Sequence, residues 1–435
     1  MTLQQVLTGI LLLVSILALP PRGHAASGSL FIGTGTTRDN VQAKLWFNDG
    51  TWWALLPYGG TGPALTDRGN SFYRLAGGGL VRQALVDNRI TTRADVLWNG
   101  THLFALMYKD SNASPSKLYK YRYDTGTQTY TLLPGFPVTL PLQGDPTSAK
   151  TAVLAQDSTG TLWVTYQTND VGATTGKIHV IWSTSADQTV WNTTGLVLQE
   201  PVGTGDAATM VAFDHKIGVL WSNQAVAGTN FGFRVHVDGD PETTWQPVEI
   251  VAHGSGIANA HLSLAVTETQ DLLAATKAGG AGNLLNLFVR THDSGTWRGP
   301  MPITRNGTRP IAVYDRENKE VYVFYTDVTG SLPNTKVVYR KARVADLVFS
   351  DTVDFLVVPG VSLNDVTSTK QAVDAGMGIM AAAQGGTTAY YNAVTLNFAP
   401  VASLAATPKS GVWPLAVDFN GSGSTDPDGA IVSYG

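Results

Sequence analysis

The sequence contains no cysteine, which excludes disulfide bonds, thiolate metal sites and a catalytic thiol. Charged residues make up only 14% of the 435 residues, and the net charge of −4 gives no overall attraction to nucleic acid. Beyond the N-terminus, no segment is apolar and long enough to cross a membrane, and none sustains the 3.6-residue period of a helix. The eight histidines lack metal-ligand spacing, so we expect no metal and no cofactor.

Glycine and proline are frequent, with 46 and 21 copies, and aromatic residues reach 9%. This mixture is typical of many short strands joined by tight turns. From residue 40 onward the same pattern recurs: an apolar strand, a turn of Asp, Asn or Gly, and a second apolar strand. Seven such hairpins begin at Lys44, Asp95, Ala152, Met210, Leu262, Ile311 and Gln371. The pairs Asp49-Gly50 and Asn99-Gly100 predict type I′ hairpin turns.

A second, more variable hairpin lies between successive apolar hairpins, so each period of roughly 50 residues contains four strands. Such units are typical of β-propeller blades. The sequence therefore predicts an all-β fold, with a β-propeller of seven blades over residues 26–397. Six blades or an open β-solenoid are the alternatives. Because about one strand remains after the seventh hairpin, a strand near residues 29–33 is expected to complete the last blade and close the ring.

The N-terminal residues are typical of an export signal. An apolar run over residues 6–20 precedes Gly23 and Ala25, which have the small-x-small spacing of a cleavage site. The run is shorter than the roughly 20 residues that span a bilayer. We therefore predict a cleaved signal peptide of residues 1–25, no membrane span after cleavage, and a secreted or cell-surface protein that is a monomer.

The second hairpins contain the most specific local motif. The run Asp293-Ser294-Gly295-Thr296-Trp297 is similar to the Asp-box, S-x-D-x-G-x-T-W, and residues 183–191 and 238–245 look like worn copies of it. The repeat region therefore resembles the sialidase-like β-propellers. In this motif the aspartate accepts hydrogen bonds from turn amides and the tryptophan packs between neighbouring sheets. The motif indicates a fold rather than a chemistry.

The C-terminal segment, residues 398–435, resembles the start of a PKD (polycystic kidney disease) type domain, an immunoglobulin-like β-sandwich. The resemblance rests on Ala399-Pro400-Val401, Pro408, Pro414-Leu415, Asp418-Phe419 and the loop over residues 421–429. Such a sandwich needs about 100 residues. We therefore expect an incomplete sandwich that is not stable on its own. The resemblance implies a spacer or adhesion module.

In a propeller, the loops that lead into the innermost strands meet at one mouth of the central channel. Side chains placed just before those strands are therefore candidate ligand-binding groups. They are Arg93, Asp95, Lys150, Asp206, His261, Arg309 and Lys370. Their cationic members predict a site for a carboxylate, sulfate or phosphate. The alternative is that these residues cap backbone groups or pair with neighbouring loops.

Catalysis by a glycosidase requires two carboxylates, or a tyrosine backed by a glutamate, in one pocket. Asp145, Glu200 and Asp365 lie in similar loops to Asp95 and Asp206, but their spacing does not pair them. The sialidase resemblance implies a tyrosine before the last inner strand, where this chain has Thr369-Lys370-Gln371. That departure argues against sialidase activity.

Three functions fit these observations. The first is binding of an extracellular glycan or other polymer by the propeller, with the C-terminal module as a spacer. The second is a glycoside hydrolase or lyase on a sialidase-like scaffold, and the third is a scaffold for other proteins. Because no acid and nucleophile pair is identifiable, the sequence ranks binding ahead of catalysis. Two carboxylates about 5 to 10 Å apart in the channel mouth would reverse that order.

Overall fold

The computed structural model describes residues 28–33, 37, 41–59, 67–89, 91–108, 115–142, 151–169, 174–225, 229–280, 284–329, 335–398, 400–428 and 430–431. In these residues the secondary structure is entirely β, and no helix there is long and apolar enough to cross a membrane. They fall into two compact units, one within Gly23–Thr395 and one whose described part begins at Leu396. The predicted signal peptide lies outside the described residues.

The larger unit is a ring of seven antiparallel sheets, and in the first six the strands follow one another in chain order from the inside outward. Blades 1 to 3 contain β2–β5 (Leu45–Asn48, Thr51–Tyr58, Gly69–Ala76, Gly79–Asp87), β6–β10 (Arg93–Trp98, His102–Tyr108, Lys117–Asp124, Thr129–Leu132, Val138–Thr139) and β11–β14 (Ala152–Gln156, Leu162–Asn169, Thr175–Trp182, Leu196–Gly203). Blades 4 to 6 contain β15–β18 (Ala208–Phe213, Lys216–Asn223, Asn230–Val237, Glu249–His253), β19–β22 (Leu262–Val266, Leu272–Lys277, Leu285–Arg290, Trp297–Thr304) and β23–β26 (Gly307–Asp315, Glu320–Asp327, Lys336–Arg343, Val353–Leu356). In blade 2, β9 and β10 both pair with β8, so two short strands share the outermost position.

Blade 7 is completed by both ends of the propeller sequence. Its inner strands are β27 (Asn364–Thr367), β28 (Ile379–Gly385) and β29 (Thr388–Val394), and its outermost strand is β1 (Gly28–Phe31). β1 pairs antiparallel with β29, with Gly28 opposite Tyr391 and Phe31 opposite Thr388. The predicted seven-bladed propeller and its closure by an N-terminal strand are therefore confirmed.

The two predictions of type I′ hairpin turns had different outcomes. Asp49 and Gly50 have φ angles of 52° and 71°, as a type I′ turn requires. The Asn99-Gly100 prediction was wrong in turn type, because there only Gly100 has a positive φ, 90°, and Asn99 Oδ1 caps the amides of Thr101 and His102.

The hydrophobic core lies between the faces of neighbouring blades rather than in one central mass. Between blades 1 and 2, the Trp46 indole stacks on Trp53 at 6.2 Å and donates a hydrogen bond to the Tyr130 hydroxyl at 2.7 Å. Further apolar clusters join blades 2 and 3, blades 3 to 5, and blades 5 and 6. Blades 2 to 5 therefore have both faces of their sheets covered, which explains the continuous apolar runs in their sequence.

Tryptophans from the outer hairpins pack at the same place in three successive blades. In blades 3 and 4 the indoles of Trp191 and Trp245 are buried, and each donates to the carbonyl three residues earlier, at 3.0 and 3.1 Å. Trp297 of blade 5 packs edge-on against Phe233 and donates to a carboxylate of blade 4. The Asp293 carboxylate is fully exposed and contacts the neighbouring His292 ring at 3.3 Å.

The smaller unit contains one short antiparallel pair, β30 (Ala405–Thr407) and β31 (Asp418–Asn420), extended by a bridge between Val401 and Thr425. Large apolar side chains are exposed here. Trp413 and Phe419 keep 81% and 66% of their surface accessible. This pairing is the part of the predicted sandwich that the described residues contain.

Candidate functional site

The first strands of the blades line a central channel with two ends. We name the end at which these strands begin the entry mouth; it is bordered by Arg93, Ala208, Leu262 and Gly307. The other end, where they turn into the second strands, is the exit mouth, bordered by Trp98, Phe213, Val266 and Asp315. Since neighbouring strands are antiparallel, the second strands end at the entry mouth, which therefore receives side chains from two strands of every blade.

Residues 41–44 lie across the channel between its two mouths. They are buried, and their hydrogen bonds reach four blades. The bonds join Ala43 O to Val96 N in blade 2 (2.9 Å), Gln42 Nε2 to Ala152 O in blade 3 (2.7 Å), Val41 O to Thr209 Oγ1 in blade 4 (3.4 Å) and Gln42 O to Thr367 Oγ1 in blade 7 (3.2 Å). We name this segment the plug. It links four of the seven blades inside the channel.

Asp95 and Lys370 meet beside the plug rather than at the entry mouth. The Asp95 carboxylate is completely buried; it accepts from the Ala43 and Leu154 amides at 2.9 and 2.8 Å and from Lys370 Nζ at 2.5 Å. The sequence analysis placed Lys370 before the last inner strand, and this was wrong, because β27 ends at Thr367. Burial lowers the pKa of Lys370. The pair ties blades 1, 2, 3 and 7 together.

The predictions for Asp206, Arg93 and Lys150 have different outcomes. Asp206 is buried and accepts four hydrogen bonds, two from backbone amides, one from Ser222 and one from the Gln224 side chain, all between 2.6 and 2.8 Å. Its carboxylate is thus occupied in fixing the connection between blades 3 and 4. Arg93 is half-buried at the start of β6. Lys150 lies outside the described residues.

Arg309 and Asp365 form an ion pair across blades 6 and 7 at the entry mouth, with Nε and Oδ1 2.6 Å apart. Each residue has a φ of 55°, and each lies where the register of its inner strand shifts. A positive φ in a residue other than glycine costs on the order of 1 kcal/mol or more, and bulges of this kind re-aim side chains next to functional sites. Two matching strained residues facing each other therefore mark this pair as the candidate site.

Lys277 extends the cluster into blade 5. Its ammonium donates to the Thr308 hydroxyl at 3.2 Å, and burial, together with the positive charge of Arg309, lowers its pKa. Its backbone amide donates to the carbonyl of His261 at 2.9 Å, which places that predicted residue at the same point of the rim. A cavity of about 280 Å³ begins at the next residue along the chain, Ala278, and has Arg305 in its lining, but neither Lys277 nor Arg309 lines it.

The entry-mouth cluster, Lys277, Arg309 and Asp365, combines two cations with one carboxylate. Asp365 is paired with Arg309 rather than with a second carboxylate, which differs from the two-carboxylate arrangement of glycosidases. An arginine that can bind a carboxylate and a lysine with a lowered pKa suit proton abstraction next to an acidic group. Within the described residues, no group of three acidic or histidine side chains is arranged to hold a metal ion.

Sequence analysis missed Lys277 because it considered only residues that precede inner strands. Lys277 ends the second strand of blade 5, in the run LLAATK. A lysine that closes an otherwise apolar strand at the channel side is the signal that could have found it.

No model of a known protein family matches this chain, and no curated protein matches it in sequence. Solved structures do match in fold. A polysaccharide lyase of family PL25, an ulvan lyase bound to -[GlcA(1-4)Rha3S]-, superposes with a TM-score of 0.55 at 9% identity, over 86% of this chain and 96% of the lyase. The polysaccharide lyase Uly1 superposes with a TM-score of 0.52 at 11% identity, over 88% of this chain and 94% of that chain. At these identities the likeness is one of fold.

Proposed function

We propose that the protein is a polysaccharide lyase that cleaves an acidic, uronate-containing polysaccharide at the entry mouth. The observation that carries this proposal is the strained Arg309–Asp365 pair with Lys277 beside it. The likeness in fold to polysaccharide lyases supports it. The same observations favour catalysis over the binding-only function that the sequence analysis ranked first.

The chemistry of β-elimination assigns a role to each cation. Arg309 binds the uronate carboxylate and stabilises the negative charge that develops on it in the transition state. Lys277, in its neutral form, removes the proton from C5. The electron pair of that C–H bond forms the C4=C5 double bond, the bond from C4 to the glycosidic oxygen breaks, and this oxygen takes the proton back from Lys277. Asp365 positions the Arg309 guanidinium.

The setting of this activity is also part of the proposal. Residues 1–25 act as a signal peptide, which places the propeller outside the cell with its polymeric substrate. The Trp191 and Trp245 turns support a relationship with Asp-box propellers, and the pairing of Ala405–Thr407 with Asp418–Asn420 is consistent with a PKD-type module. These relationships concern ancestry and tethering, since the chemistry resides at the entry mouth.

An assay of the purified chain on a panel of acidic and neutral polysaccharides tests the reaction. Elimination creates both a new reducing end and an unsaturated uronate that absorbs in the ultraviolet, whereas hydrolysis creates only the reducing end. Both signals on a uronate polymer are the expected result. New reducing ends without ultraviolet absorbance would show that the protein is a hydrolase and not a lyase. Retention of a polymer in affinity electrophoresis without any cleavage would return the function to binding.

A further inference from the structure

The exit mouth contains a cavity that is lined by inner strands of several blades. It has a volume of about 450 Å³ and opens between the hairpin turns that follow the inner strands, while residues 41–43 of the plug form its floor. Ligand pockets for small molecules have volumes of about 300 to 1,000 Å³. None of the three residues of the entry-mouth cluster lines this pocket, so the two can hold different ligands.

The charges around the exit pocket are balanced in pairs. Each of two cations and one carboxylate in its lining has a partner of opposite sign. The pairs are Arg316 with Asp374, Lys370 with Asp95, and Glu268 with Lys319. A pocket with this balance gives no net attraction to an acidic or basic ligand, and breaking a pair in order to bind a charged one would be costly. The entry-mouth cluster, by contrast, has an excess of one cation.

The walls of the exit pocket are rich in groups that bind hydroxyls. Each inner strand is the edge strand of its sheet, so alternate backbone amides and carbonyls face the channel. Amides of these strands can donate toward the channel, as Leu154 N does to Asp95 and Ala312 N does to Ser263 Oγ at 3.1 Å, although these two are thereby occupied. Gln156 and Gln270 add amide side chains at the rim, and Ala212 and Ala372 add apolar surface.

From these three observations we infer that the exit mouth is a second ligand site, for an uncharged saccharide of one or two rings. A sugar ring presents hydroxyls around its edge and C–H groups on its faces, which suits backbone donors and acceptors alternating with small aliphatic side chains. The site is independent of the reaction at the entry mouth. It gives the propeller a means of holding neutral glycan next to the polymer that it cleaves.

The test measures binding of uncharged mono- and disaccharides to the full chain by isothermal titration calorimetry. Ala212→Leu and Ala372→Leu fill the pocket from two different blades, and Ala186→Leu, at an exposed outer turn, is the matched control. We expect saturable binding that falls at least tenfold in both filling variants and is unchanged in Ala186→Leu and in Arg309→Ala. Thermal unfolding of each variant shows whether it has folded.

Hydrogen exchange on the unmodified chain provides a test that needs no variant. Bound saccharide is expected to slow exchange of amides in β15 and β19, which line the pocket. Absence of saturable binding by any uncharged saccharide would overturn the inference, as would undiminished binding by both folded filling variants. Binding that is lost in Arg309→Ala instead would assign the sugar to the entry mouth. Cleavage of acidic polymer is measured separately, so failure of one proposal leaves the other intact.

Discussion

Blades 6 and 7 are joined by an arginine–aspartate pair at each mouth of the channel, and the two pairs differ in backbone strain. At the entry mouth, Arg309 and Asp365 both have positive φ angles and lie at register shifts of their strands. At the exit mouth, Arg316 and Asp374 follow the same two strands, lie in ordinary turns and are more exposed, with 54% and 25% of their side-chain surface accessible.

The difference shows at which mouth the backbone conformation lowers the local stability of the fold. An exposed ion pair in relaxed turns contributes little, about 0 to 1 kcal/mol, and can be explained by turn chemistry alone. A pair in which both backbones are strained persists only because surrounding structure imposes it, and such positions cluster at functional sites. The entry pair therefore indicates function, while the exit pair indicates only a well-formed rim.

Replacement of Arg309 is expected to have the largest effect. Arg309→Ala removes the group that stabilises the developing carboxylate charge, so we expect cleavage of the acidic polymer to fall by about 10²- to 10³-fold. Arg340→Ala is the matched control: Arg340 lies in an outer strand of the same blade and donates to Thr352 and to the carbonyl of Ile303. Initial rates of ultraviolet absorbance measure both variants. Equal rates for Arg309→Ala and Arg340→Ala would remove the entry mouth as the active site.

Lys277→Met is expected to separate activity from stability. Loss of the proposed base lowers the rate by about 10²-fold or more, whereas removal of a half-buried cation beside Arg309 is expected to leave the fold at least as stable. Burial and Arg309 lower the pKa of Lys277, so the unfolded chain binds more protons between the lowered and the ordinary pKa. Stability of the unmodified protein therefore rises with pH across that window, and this rise is smaller in Lys277→Met.

The control for that variant is Lys341→Met, since Lys341 pairs with Glu320 in an outer strand at 2.7 Å. Urea unfolding at several pH values, together with the pH dependence of the rate, measures both effects. A Lys277→Met protein that is less stable than the unmodified one and fully active would show that Lys277 is a structural residue.

Sequence patterns predicted the ring but only part of the site. Hairpin signals such as Asp49-Gly50 act over a few residues, and their repetition was enough to count the blades. The last inner strand, β27, was not recognised from the sequence because it has only four residues, a bulge and a polar start. The stronger apolar run, Ile379–Gly385, belongs to the neighbouring strand. Lys370 was therefore assigned to the wrong end of a strand.

The pairing of Arg309 with Asp365 could not be derived from spacing, because it depends on which strands become neighbours and on two bulges that turn the side chains toward each other. Sequence analysis named both residues, Arg309 as a cation of the mouth and Asp365 as a loop carboxylate that spacing alone could not match with another carboxylate. Long-range proximity is a property of the closed ring, and local patterns do not contain it.

The buried pair at the plug extends the comparison from two mouths to the channel interior. Asp95→Asn leaves the half-buried Lys370 without its counter-charge and disturbs the hydrogen bonds of a completely buried carboxylate, so we expect a loss of about 3 kcal/mol. Asp374→Asn, at the exposed exit pair, is expected to cost less than about 1 kcal/mol. Urea unfolding followed by tryptophan fluorescence measures both. Similar small losses in the two variants would show that the plug contact does not hold the blades together.

The comparison of mouths also depends on a closed ring, and Gly28 tests that closure. A Cβ at Gly28 of β1 would overlap the phenol of Tyr391, whose hydroxyl accepts a hydrogen bond from the Leu80 amide of blade 1 at 2.9 Å. Gly28→Ala is therefore expected to destabilise the propeller by about 2 kcal/mol through overpacking. Gly79→Ala places its Cβ 3.5 Å from the same hydroxyl and is expected to be nearly neutral. If thermal unfolding shows no difference between these two alanine variants, β1 contributes little to closing the ring, and the last blade is held by its own three strands and the plug.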